Sequence, residues 1–424
     1  MNNSSFYYKD SELYCEDVPV SKIAEEVGTP FYCYSATHLE DRFKAYDSTF
    51  GSRSHLVCFA VKSNSNLAVL NLLGQLGAGA DIVSGGELFR AIQAGIPPER
   101  IVYSGVGKTE AEMAYAIQQG ILMFNVESMD ELHLIEQTAG LLGKKAGISI
   151  RVNPDVDANT HPYISTGLKK NKFGLSMSRA MEAYKAAAAS EWLNVTGVSF
   201  HIGSQILETG PFLHAFSKVT RLIEDLEGSG INLACLDLGG GLGITYHEED
   251  APEPDDYVSA ILEKAGDLGQ TIVIEPGRSI CGNAGILVTK LLYTKSNSLK
   301  NFYIVDAAMN DLGRPSLYNA FHAIQPVSQK DEEARIKADV VGPICETGDF
   351  LARDRDLPVM AQGDLMAVMS AGAYGFTMSS NYNSRLRVAE VMVKDNRFET
   401  VRERETYPDL IRGEKIPDWM EPGS

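Results

Sequence analysis

The feature that most constrains the fold is an alternation of short apolar runs with helix-like segments between residues 55 and 280. We identify eight such runs, which are LVCFAVKS, GADIVS, RIVYSG, LMFNVE, GISIRVNP, GVSFHIGS, ACLDLGGG and TIVIEPGR. Most of the intervals, such as GELFRAIQAG and TEAEMAYAIQQG, place apolar residues near every 3.6 positions, as amphipathic helices do. Eight strands alternating with helices over about 230 residues predict an α/β fold, a (β/α)8 TIM-type barrel.

A doubly wound sheet that binds a nucleotide is the competing fold. The GGGLG run at 239–243 does not fit the GxGxxG dinucleotide signature, because Ile244 follows it. The GVGKT run at 105–109 resembles a phosphate-binding loop, but that motif requires a glycine where Val102 stands. The sequence therefore favours the barrel over both nucleotide-binding interpretations.

A second domain is indicated after Ile280, where the pattern changes. Runs such as KNFYIVDAAM, IKADVVGPI and RLRVAEVMVKDNRFETV combine alternating apolar positions with polar turns, which predicts a mostly β structure. The opening segment, which ends near FYCYS, precedes the first barrel strand and is expected to join it. We predict a barrel domain over 36–284 and a β-rich domain formed by 1–35 and 285–424.

Composition limits the partners of the protein. The formal net charge is -18 and no basic run occurs, which argues against nucleic acid or an anionic membrane as partner. The six cysteines form no CxxC pair, so neither a disulfide framework nor a metal site is predicted. The polar, acidic start lacks the features of a signal peptide, and no apolar run reaches the length of a membrane span. We expect a cytoplasmic protein.

Polar residues gather where the predicted strands end, which is where barrels of this kind place their chemistry. In chain order they are Lys62, Asp81, Ser84, Ser104, Asn125, Glu127, Arg151, Asn153, His201, Ser204, Gly239, Gly240, Gly241, Glu275 and Arg278. One lysine, one histidine, several carboxylates and a glycine cluster describe a site for a molecule with a carbonyl, a phosphate and a basic ring nitrogen. Pyridoxal phosphate has all three.

The individual residue types suit that cofactor. Apolar neighbours are expected to lower the pKa of Lys62 and make its amine a nucleophile for a carbonyl carbon. The glycines at 239–241 leave backbone N–H groups open to a phosphate, and Glu275 could face the ring nitrogen. Each has a simpler interpretation: Lys62 could extend into water, the glycines could form a plain turn, and His201 could be structural.

Six motifs in order resemble one family. FAVKSN, HIGSQ, LDLGGGLG, EPGR, GPICETGD and AGAYG are similar to those of the fold-type III pyridoxal-phosphate decarboxylases, whose barrel is of the alanine racemase type. The resemblance extends from about residue 10 to about residue 415 and includes HPYISTGLKKNKFG, whose lysines we expect to lie at the surface or to anchor the loop, without a catalytic role. It implies a homodimer in which two subunits share their active sites.

The resemblance also implies roles for residues around the cofactor. Lys62 is expected to bind it covalently, His201 to stack on its ring and Glu275 to pair with its ring nitrogen, with Asp81 supporting the ring or Lys62. The residues expected to hold the phosphate are Ser204, Gly239, Gly240, Gly241, Gly277, Arg278 and Tyr374.

Further residues bear on the substrate. Arg278, Arg314, Tyr318 and Tyr374 are expected to bind it, with the arginines on a distal carboxylate, and Glu346 is expected to bind a distal ammonium. This set favours meso-2,6-diaminopimelate, giving L-lysine as the last step of lysine biosynthesis. The resemblance makes Cys345 a proton donor that reaches the neighbouring subunit's site.

Two alternatives stay open. The first is an enzyme of the same fold that acts on ornithine, arginine or carboxynorspermidine. Ornithine and arginine decarboxylases of this fold typically have an aspartate where Glu346 stands and lack the RPSLY element that contains Arg314. The second is a non-catalytic pyridoxal-phosphate-binding homologue, which is expected to have lost Lys62 or Cys345.

Overall fold

A computed structural model describes residues 5–157, 172–330 and 334–420. The expected surface position of Lys169 and Lys170 lies outside these residues. Among the described residues, contacts within the chain define a barrel unit (Ser5, Ser35–Gly285, Gly372–Thr377) and a β unit (Phe6–Tyr34, Ile286–Ala371 and residues 378–420). The domain boundaries inferred from the sequence stay a prediction, and this grouping places Gly372–Thr377 with the barrel rather than with the β-rich part.

The helices and strands are numbered in chain order. The strands are β1 (Phe6–Lys9), β2 (Glu12–Cys15), β3 (Val18–Pro19), β4 (Phe31–Ser35), β5 (His55–Ala60), β6 (Gly79–Ile82), β7 (Ile101–Tyr103), β8 (Met123–Val126), β9 (Ala146–Asn153), β10 (Leu175–Ser176), β11 (Leu193–Ser199), β12 (Cys235–Asp237), β13 (Thr271–Ile274), β14 (Gly285–Ser296), β15 (Asn301–Val305), β16 (Ile324–Pro326), β17 (Arg335–Val341), β18 (Phe350–Pro358), β19 (Leu365–Val368), β20 (Ala389–Lys394) and β21 (Arg397–Arg402). The α-helices are α1 (Val20–Val27), α2 (Ala36–Thr49), α3 (Leu67–Gln75), α4 (Gly85–Gln93), α5 (Glu110–Gln119), α6 (Met129–Leu142), α7 (Met177–Ala189), α8 (Gly210–Gly228), α9 (Pro254–Ala265), α10 (Arg278–Cys281), α11 (Arg314–Tyr318) and α12 (Tyr407–Leu410).

The barrel unit is a closed ring of eight parallel strands, β5, β6, β7, β8, β9, β11, β12 and β13. The ring closes because β13 pairs with β5, with Ile272 opposite His55. β10 adds a short parallel pairing to β9. The predicted TIM-type barrel is therefore confirmed, and its eight strands are the eight apolar runs of the sequence.

Local sequence explains why strand and helix alternate in the barrel unit. The short strands β6, β7 and β8 are buried along their whole length, as expected of strands covered on both faces. Helices begin at polar caps: Thr109 and Glu112 form a reciprocal capping box at the start of α5, and the Ser128 hydroxyl accepts the Glu131 N–H at the start of α6. Each cap fixes the point at which a strand-end loop turns into its helix.

The β unit is mostly β, as the sequence predicts. Its main sheet has the order β18-β17-β15-β14-β4-β20-β21, and β19 pairs with β14 and β16. A separate sheet combines β1, β2 and β3. One apolar core cluster of this unit contains Phe6, Leu13, Cys15, Val18, Val20, Ile23, Phe31, Cys33, Ile286, Val288, Val327, Ala367, Ala389, Val391 and Val393. The N-terminal segment thus packs with strands from the later part of the chain.

Among the residues that the structure describes, none of the helices is long and apolar enough to span a bilayer.

Candidate active site

Lys62 lies on a single 3-10 turn, Val61–Ser63, directly after β5. Two hydrogen bonds fix this turn: the Ser63 hydroxyl donates to the Ala60 carbonyl (2.7 Å), and the Tyr374 N–H donates to the Ser63 carbonyl (2.8 Å). The Lys62 Nζ forms an ion pair with the Asp81 carboxylate at the end of β6. Asp81 is fully buried, and its Oδ1 has no hydrogen-bond partner among the described residues.

The expectation that its surroundings lower the pKa of Lys62 is wrong for this chain. Burial alone lowers that pKa, but the nearby Asp81 and Glu275 carboxylates raise it by more, so the pKa lies above the ordinary lysine value. The sequence showed apolar neighbours along one strand but not the carboxylates that adjoining strands bring to the same barrel rim. Lys62 is therefore a protonated amine with a proton acceptor already in contact.

A cavity of about 320 Å³ opens above Lys62 within the barrel unit. Its lining brings together Lys62, His201 and Glu275 with Val83, Ser104, Gly105, Val106, Asn125, Arg151, Phe173, Ser199 and Phe200. A larger cavity of about 600 Å³ shares Phe173 with it and has Asn153 in its lining, but Lys62, His201 and Glu275 do not line it. We take the smaller cavity as the candidate site because Lys62, His201 and the Glu275 carboxylate all line it.

Glu275 belongs to a buried carboxyl pair with Asp237. The Asn125 amide nitrogen donates to the Asp237 Oδ2 (2.9 Å) and to the Glu275 Oε1 (3.2 Å), and the two carboxyl groups hydrogen-bond to each other. Burial raises the pKa of Asp237 to about 6. Burial, followed by the charges of Asp237 and Asp81, raises the pKa of Glu275 as well. The raised pKa favours the protonated form of Glu275, which could pass a proton to a basic ring nitrogen.

His201 is positioned as a neutral imidazole. Its Nδ1 accepts a hydrogen bond from the Gly240 N–H (3.2 Å), so this nitrogen carries no proton. Burial, then the charges of Arg151 and Lys62, lower the pKa of His201 well below its ordinary value. A neutral ring on the cavity wall can stack on a flat cofactor without adding a charge.

The glycine cluster after β12 is required by close backbone contacts. A Cβ at Gly240 would lie 2.1 Å from the Glu275 carbonyl oxygen, and one at Gly241 would lie 2.3 Å from the Gly203 carbonyl oxygen. Gly239 and Gly241 also have positive φ angles of 65° and 118°. Side chains cannot be accommodated here, which keeps this stretch of backbone bare beside His201.

Arg278 follows β13 at the start of α10 and is buried. It donates from Nη1 to the Tyr246 hydroxyl (2.6 Å) and from Nη2 to Ser204 Oγ (3.1 Å), and its guanidinium lies 4.8 Å from the centre of the Tyr374 ring. Gly277 precedes it, where a Cβ would lie 2.9 Å from Ser63 Oγ. Arg278, Ser204, Gly277 and Tyr374 thus lie together, as the resemblance implies.

The remaining predicted residues belong to the β unit. Arg314 begins α11 and is buried, with its Nη1 2.9 Å from the His322 Nε2, and Tyr318 ends the same helix half-buried. Cys345 and Glu346 are exposed on the loop between β17 and β18. The Cys345 N–H donates to the Asn383 Oδ1 (2.8 Å), and Glu346 accepts from the Tyr382 hydroxyl. None of these four predicted residues is among the described residues that line the barrel cavity.

Two residues at the barrel rim were missed by the sequence analysis. Asp237 was passed over as part of the apolar run before the glycines, although a carboxylate inside such a run is itself a signal of a buried polar site. Glu87 stands three residues after the cap Ser84, whose hydroxyl accepts the Glu87 N–H. Its carboxylate accepts the Val83 N–H (2.8 Å), and burial raises the pKa of Glu87 to about 7.

Comparison with known proteins gives consistent results. Residues 36–282 match the model of the pyridoxal-dependent decarboxylase family, pyridoxal-binding domain. A diaminopimelate decarboxylase from Pseudomonas aeruginosa is 53% identical over 412 residues, which is 97% of this chain and 99% of the relative. One from Aquifex aeolicus is 52% identical over 410 residues, 96% of this chain and 97% of the relative.

Solved structures agree over nearly the whole length. Diaminopimelate decarboxylase from Helicobacter pylori, complexed with L-lysine, matches with a TM-score of 0.89 and 46% identity, covering 92% of this chain and 98% of that one. The M. jannaschii enzyme, also with L-lysine, matches with a TM-score of 0.94 and 38% identity, covering 99% of both chains. The family model, the coverage of both chains and the similarity of the folds therefore all indicate the same family.

Proposed function

We propose that this chain, which belongs to the pyridoxal-dependent diaminopimelate decarboxylase family, removes carbon dioxide from meso-2,6-diaminopimelate and releases L-lysine. The observation that carries the proposal is the identity of 53% over 97% of the chain and 99% of the relative. The reaction completes lysine biosynthesis. Both the barrel unit and the β unit are covered by the match, so the residues of the β unit that are predicted to bind the substrate are included.

The residues of the barrel cavity fit pyridoxal phosphate, which is the family's cofactor. The Lys62 amine would take the aldehyde of the cofactor, and Glu275 would face its ring nitrogen, with the buried Asp81 oxygen that has no described partner beside Lys62. Gly239, Gly240 and Gly241, which have no side chains, would lie against its phosphate. When bound, pyridoxal phosphate supplies the aldehyde for an amine and a ring that accepts the electron pair left after decarboxylation.

The chain's own residues would divide the remaining work. Asp81 accepts the proton that the Lys62 Nζ must lose before it can attack a carbonyl carbon. Glu275, which is hydrogen-bonded to Asp237, would hold a proton at the ring nitrogen of bound pyridoxal phosphate and so keep the ring electron-poor. His201 would cover one ring face. Of the contacts that these roles need, the Lys62–Asp81 and Asp237–Glu275 contacts are present without any ligand.

Substrate selection would use the two arginines and Glu346. Arg278 and Arg314, with Tyr318 and Tyr374, would bind carboxylates, and Glu346 would bind the ammonium at the far end of diaminopimelate. The requirement for two charged groups at the distal end separates this substrate from ornithine and arginine, which lack a distal carboxylate.

We further propose a homodimer in which Cys345 of the partner subunit gives its Sγ proton to the substrate Cα after carbon dioxide has left. Exposure of Cys345 and Glu346 in the single chain supports this, since polar and reactive groups of a loop are then available to a second copy. A cytoplasmic location is supported by the six cysteines, which are all free thiols, as is usual in a reducing compartment.

The direct test is release of labelled carbon dioxide from meso-diaminopimelate, with and without added pyridoxal phosphate. We expect cofactor-dependent release with L-lysine as the product, loss of release in Lys62→Ala, and normal release in the surface control Lys44→Ala. Ornithine, arginine and carboxynorspermidine are assayed in parallel. Release from one of these, with none from meso-diaminopimelate, would assign the chain to a different decarboxylase.

A further inference from the structure

The side chain of Arg314 is held by a histidine that is not part of the site described above. Arg314 is 7% exposed, and its Nη1 lies 2.9 Å from the Nε2 of His322, which is 0% exposed. The other ring nitrogen of His322, Nδ1, lies 2.8 Å from the Met369 carbonyl oxygen. The imidazole therefore bridges a guanidinium and a backbone carbonyl inside the β unit.

These two contacts define the protonation state of His322. A carbonyl oxygen can only accept a hydrogen bond, so Nδ1 must carry a proton. A guanidinium can only donate, so Nε2 must present its lone pair. Both conditions hold only for the neutral imidazole with its proton on Nδ1. His322 is thus an uncharged acceptor directed at Arg314.

The surroundings of His322 fix its position. Its backbone carbonyl accepts a hydrogen bond from the Arg355 Nη1 (2.8 Å), and the Arg355 guanidinium lies 3.9 Å from the centre of the Phe321 ring. The Met369 N–H donates to the Ala323 carbonyl (2.8 Å). The acceptor that meets Arg314 is therefore anchored on both sides of the ring.

A neutral partner has a consequence for the charge of Arg314. Arg151, on the barrel cavity, pairs with the Glu127 carboxylate at 2.7 Å, so its charge is already compensated. Arg278 is instead held by the Tyr246 and Ser204 hydroxyls. An uncharged acceptor can orient a guanidinium without itself adding a negative charge that competes with an incoming anion. Arg278 and Arg314, the two arginines assigned to carboxylate binding, are both held by such acceptors.

We propose that His322 is a positioning residue that orients Arg314 for the distal carboxylate of the substrate without neutralising it. The inference rests on the proposed function, since it deepens the account of substrate recognition. Holding Arg314 requires a hydrogen-bond acceptor at the position of the His322 Nε2. A donor at the position of Nδ1 is required only for the contact with the Met369 carbonyl.

Two polar substitutions separate these requirements. Asparagine at 322 can keep the donor to Met369 but does not reach Arg314, whereas glutamine can place an oxygen near the Nε2 position. We expect His322→Asn to raise the KM for meso-diaminopimelate by about tenfold or more, as for loss of a hydrogen bond to a charged group, with kcat changed by less than about threefold. His322→Gln should stay within about threefold of the wild type in both. Equal KM values for the two variants would overturn the proposal.

A double-mutant cycle tests whether His322 acts through Arg314. If it does, adding His322→Asn to Arg314→Met should leave the KM of Arg314→Met unchanged, whereas a further increase equal to that of His322→Asn alone would refute the proposal. Dissociation constants for L-lysine, measured by calorimetry, should follow the KM values. Pyridoxal-phosphate affinity and the melting temperature report whether the variants fold, and His322→Gln supplies the comparison if His322→Asn does not. Absence of carbon dioxide release from the wild-type protein would instead count against the proposed function.

Discussion

At the scale of single residues, the Lys62–Asp81 ion pair connects fold and chemistry. Lys62 must be a free amine to attack a carbonyl, yet Asp81 and Glu275 raise its pKa. The same carboxylate that stabilises the ammonium is placed to remove its proton. Attachment of the cofactor should therefore become faster as pH rises, because a larger fraction of Lys62 is then uncharged.

Replacing Asp81 by asparagine should shift this pH dependence. Without the carboxylate charge the pKa of Lys62 falls, so the rise in loading rate should move to lower pH by about one unit or more. The rate of appearance of cofactor absorbance near 420 nm, a wavelength expected of such a linkage, measures this after pyridoxal phosphate is added to the apoprotein. Asp47→Asn, a partly exposed carboxylate near His55, is the control and should leave the profile unchanged. An unshifted profile in Asp81→Asn would show that the ion pair does not set the protonation of Lys62.

The residue scale also shows what the sequence could and could not predict. The positions of Lys62, His201 and Glu275 at strand ends follow from the barrel pattern, and the structure brings all three to one cavity. The pairing of Glu275 with Asp237 depends on contact between neighbouring strands, which one-dimensional periodicity does not give. For the same reason the direction of the Lys62 pKa shift was predicted wrongly.

At the scale of elements, the turn after β12 depends on glycine. Gly240→Ala would place a Cβ 2.1 Å from the Glu275 carbonyl, so the backbone that approaches the proposed phosphate position must move. We expect cofactor affinity to fall at least about tenfold, since the glycine turn that would lie against the phosphate is displaced together with the hydrogen bond that orients His201. The dissociation constant for pyridoxal phosphate measures this. Gly228→Ala, at the end of α8 with open space around it, should retain wild-type affinity; equal affinities for both variants would contradict the account.

The GVGKT segment illustrates a different use of a motif-like sequence. Lys108 is not on a phosphate-binding loop but buried, donating to the Glu131 carboxylate (2.7 Å) and to the Gly105 and Asn125 carbonyls. It thereby joins the loop after β7 to the end of β8. The side chains of Lys108 and Glu131 are only 1% and 8% exposed, so the charges depend on each other.

Lys108→Met should therefore destabilise the fold by about 3 kcal/mol near neutral pH, because Glu131 is left buried without its partner. Burial raises the pKa of Glu131 while Lys108 lowers it, so removing Lys108 raises it further. When the pKa of a carboxyl is higher in the folded than in the unfolded protein, the folded protein loses stability as pH rises above the unfolded-state pKa. The destabilisation by Lys108→Met should therefore be smaller at pH 5 than at pH 8. Urea unfolding at both pH values tests this.

Two comparisons make the Lys108 test specific. Lys44→Met, which removes an exposed pair with Glu40, should change stability by less than about 0.5 kcal/mol. The double variant Lys108→Met/Glu131→Met should recover part of the loss, because no buried charge remains. A Lys108→Met protein as stable as the Lys44→Met protein would show that the buried pair has no such role.

Element prediction was least complete in the β unit. The sequence analysis did not identify β18, FLARDRDLP, whose centre is charged and exposed. It is the terminal strand of its sheet, and charged side chains are common on such edges because they oppose pairing with other chains. The buried strands of the barrel, in contrast, are continuous apolar runs that the sequence displays directly.

At the scale of the whole molecule, the proposed shared site predicts complementation between inactive chains. Lys62→Ala and Cys345→Ala homodimers should each be inactive or nearly so. A mixed dimer would have one site with both residues intact. With random exchange about half the dimers are mixed, so activity should recover to about one quarter of the wild-type value.

The complementation experiment requires proof that subunits exchange, for example by native mass spectrometry of tagged chains. Cys235→Ala serves as the control for the thiol substitution and should be active alone, since Cys235 is a buried barrel residue. If exchange is demonstrated and activity stays at the level of the separate variants, Lys62 and Cys345 do not meet across subunits.

The central claim is that Lys62 attaches covalently to an aldehyde cofactor in the barrel cavity. Borohydride reduction of the protein loaded with pyridoxal phosphate, followed by peptide mapping, tests it most directly. We predict a single pyridoxyl label, on Lys62. The label should be absent from the Lys62→Ala variant and from loaded protein that is not treated with borohydride. A label on another lysine, or no label at position 62, would contradict the assignment of the site.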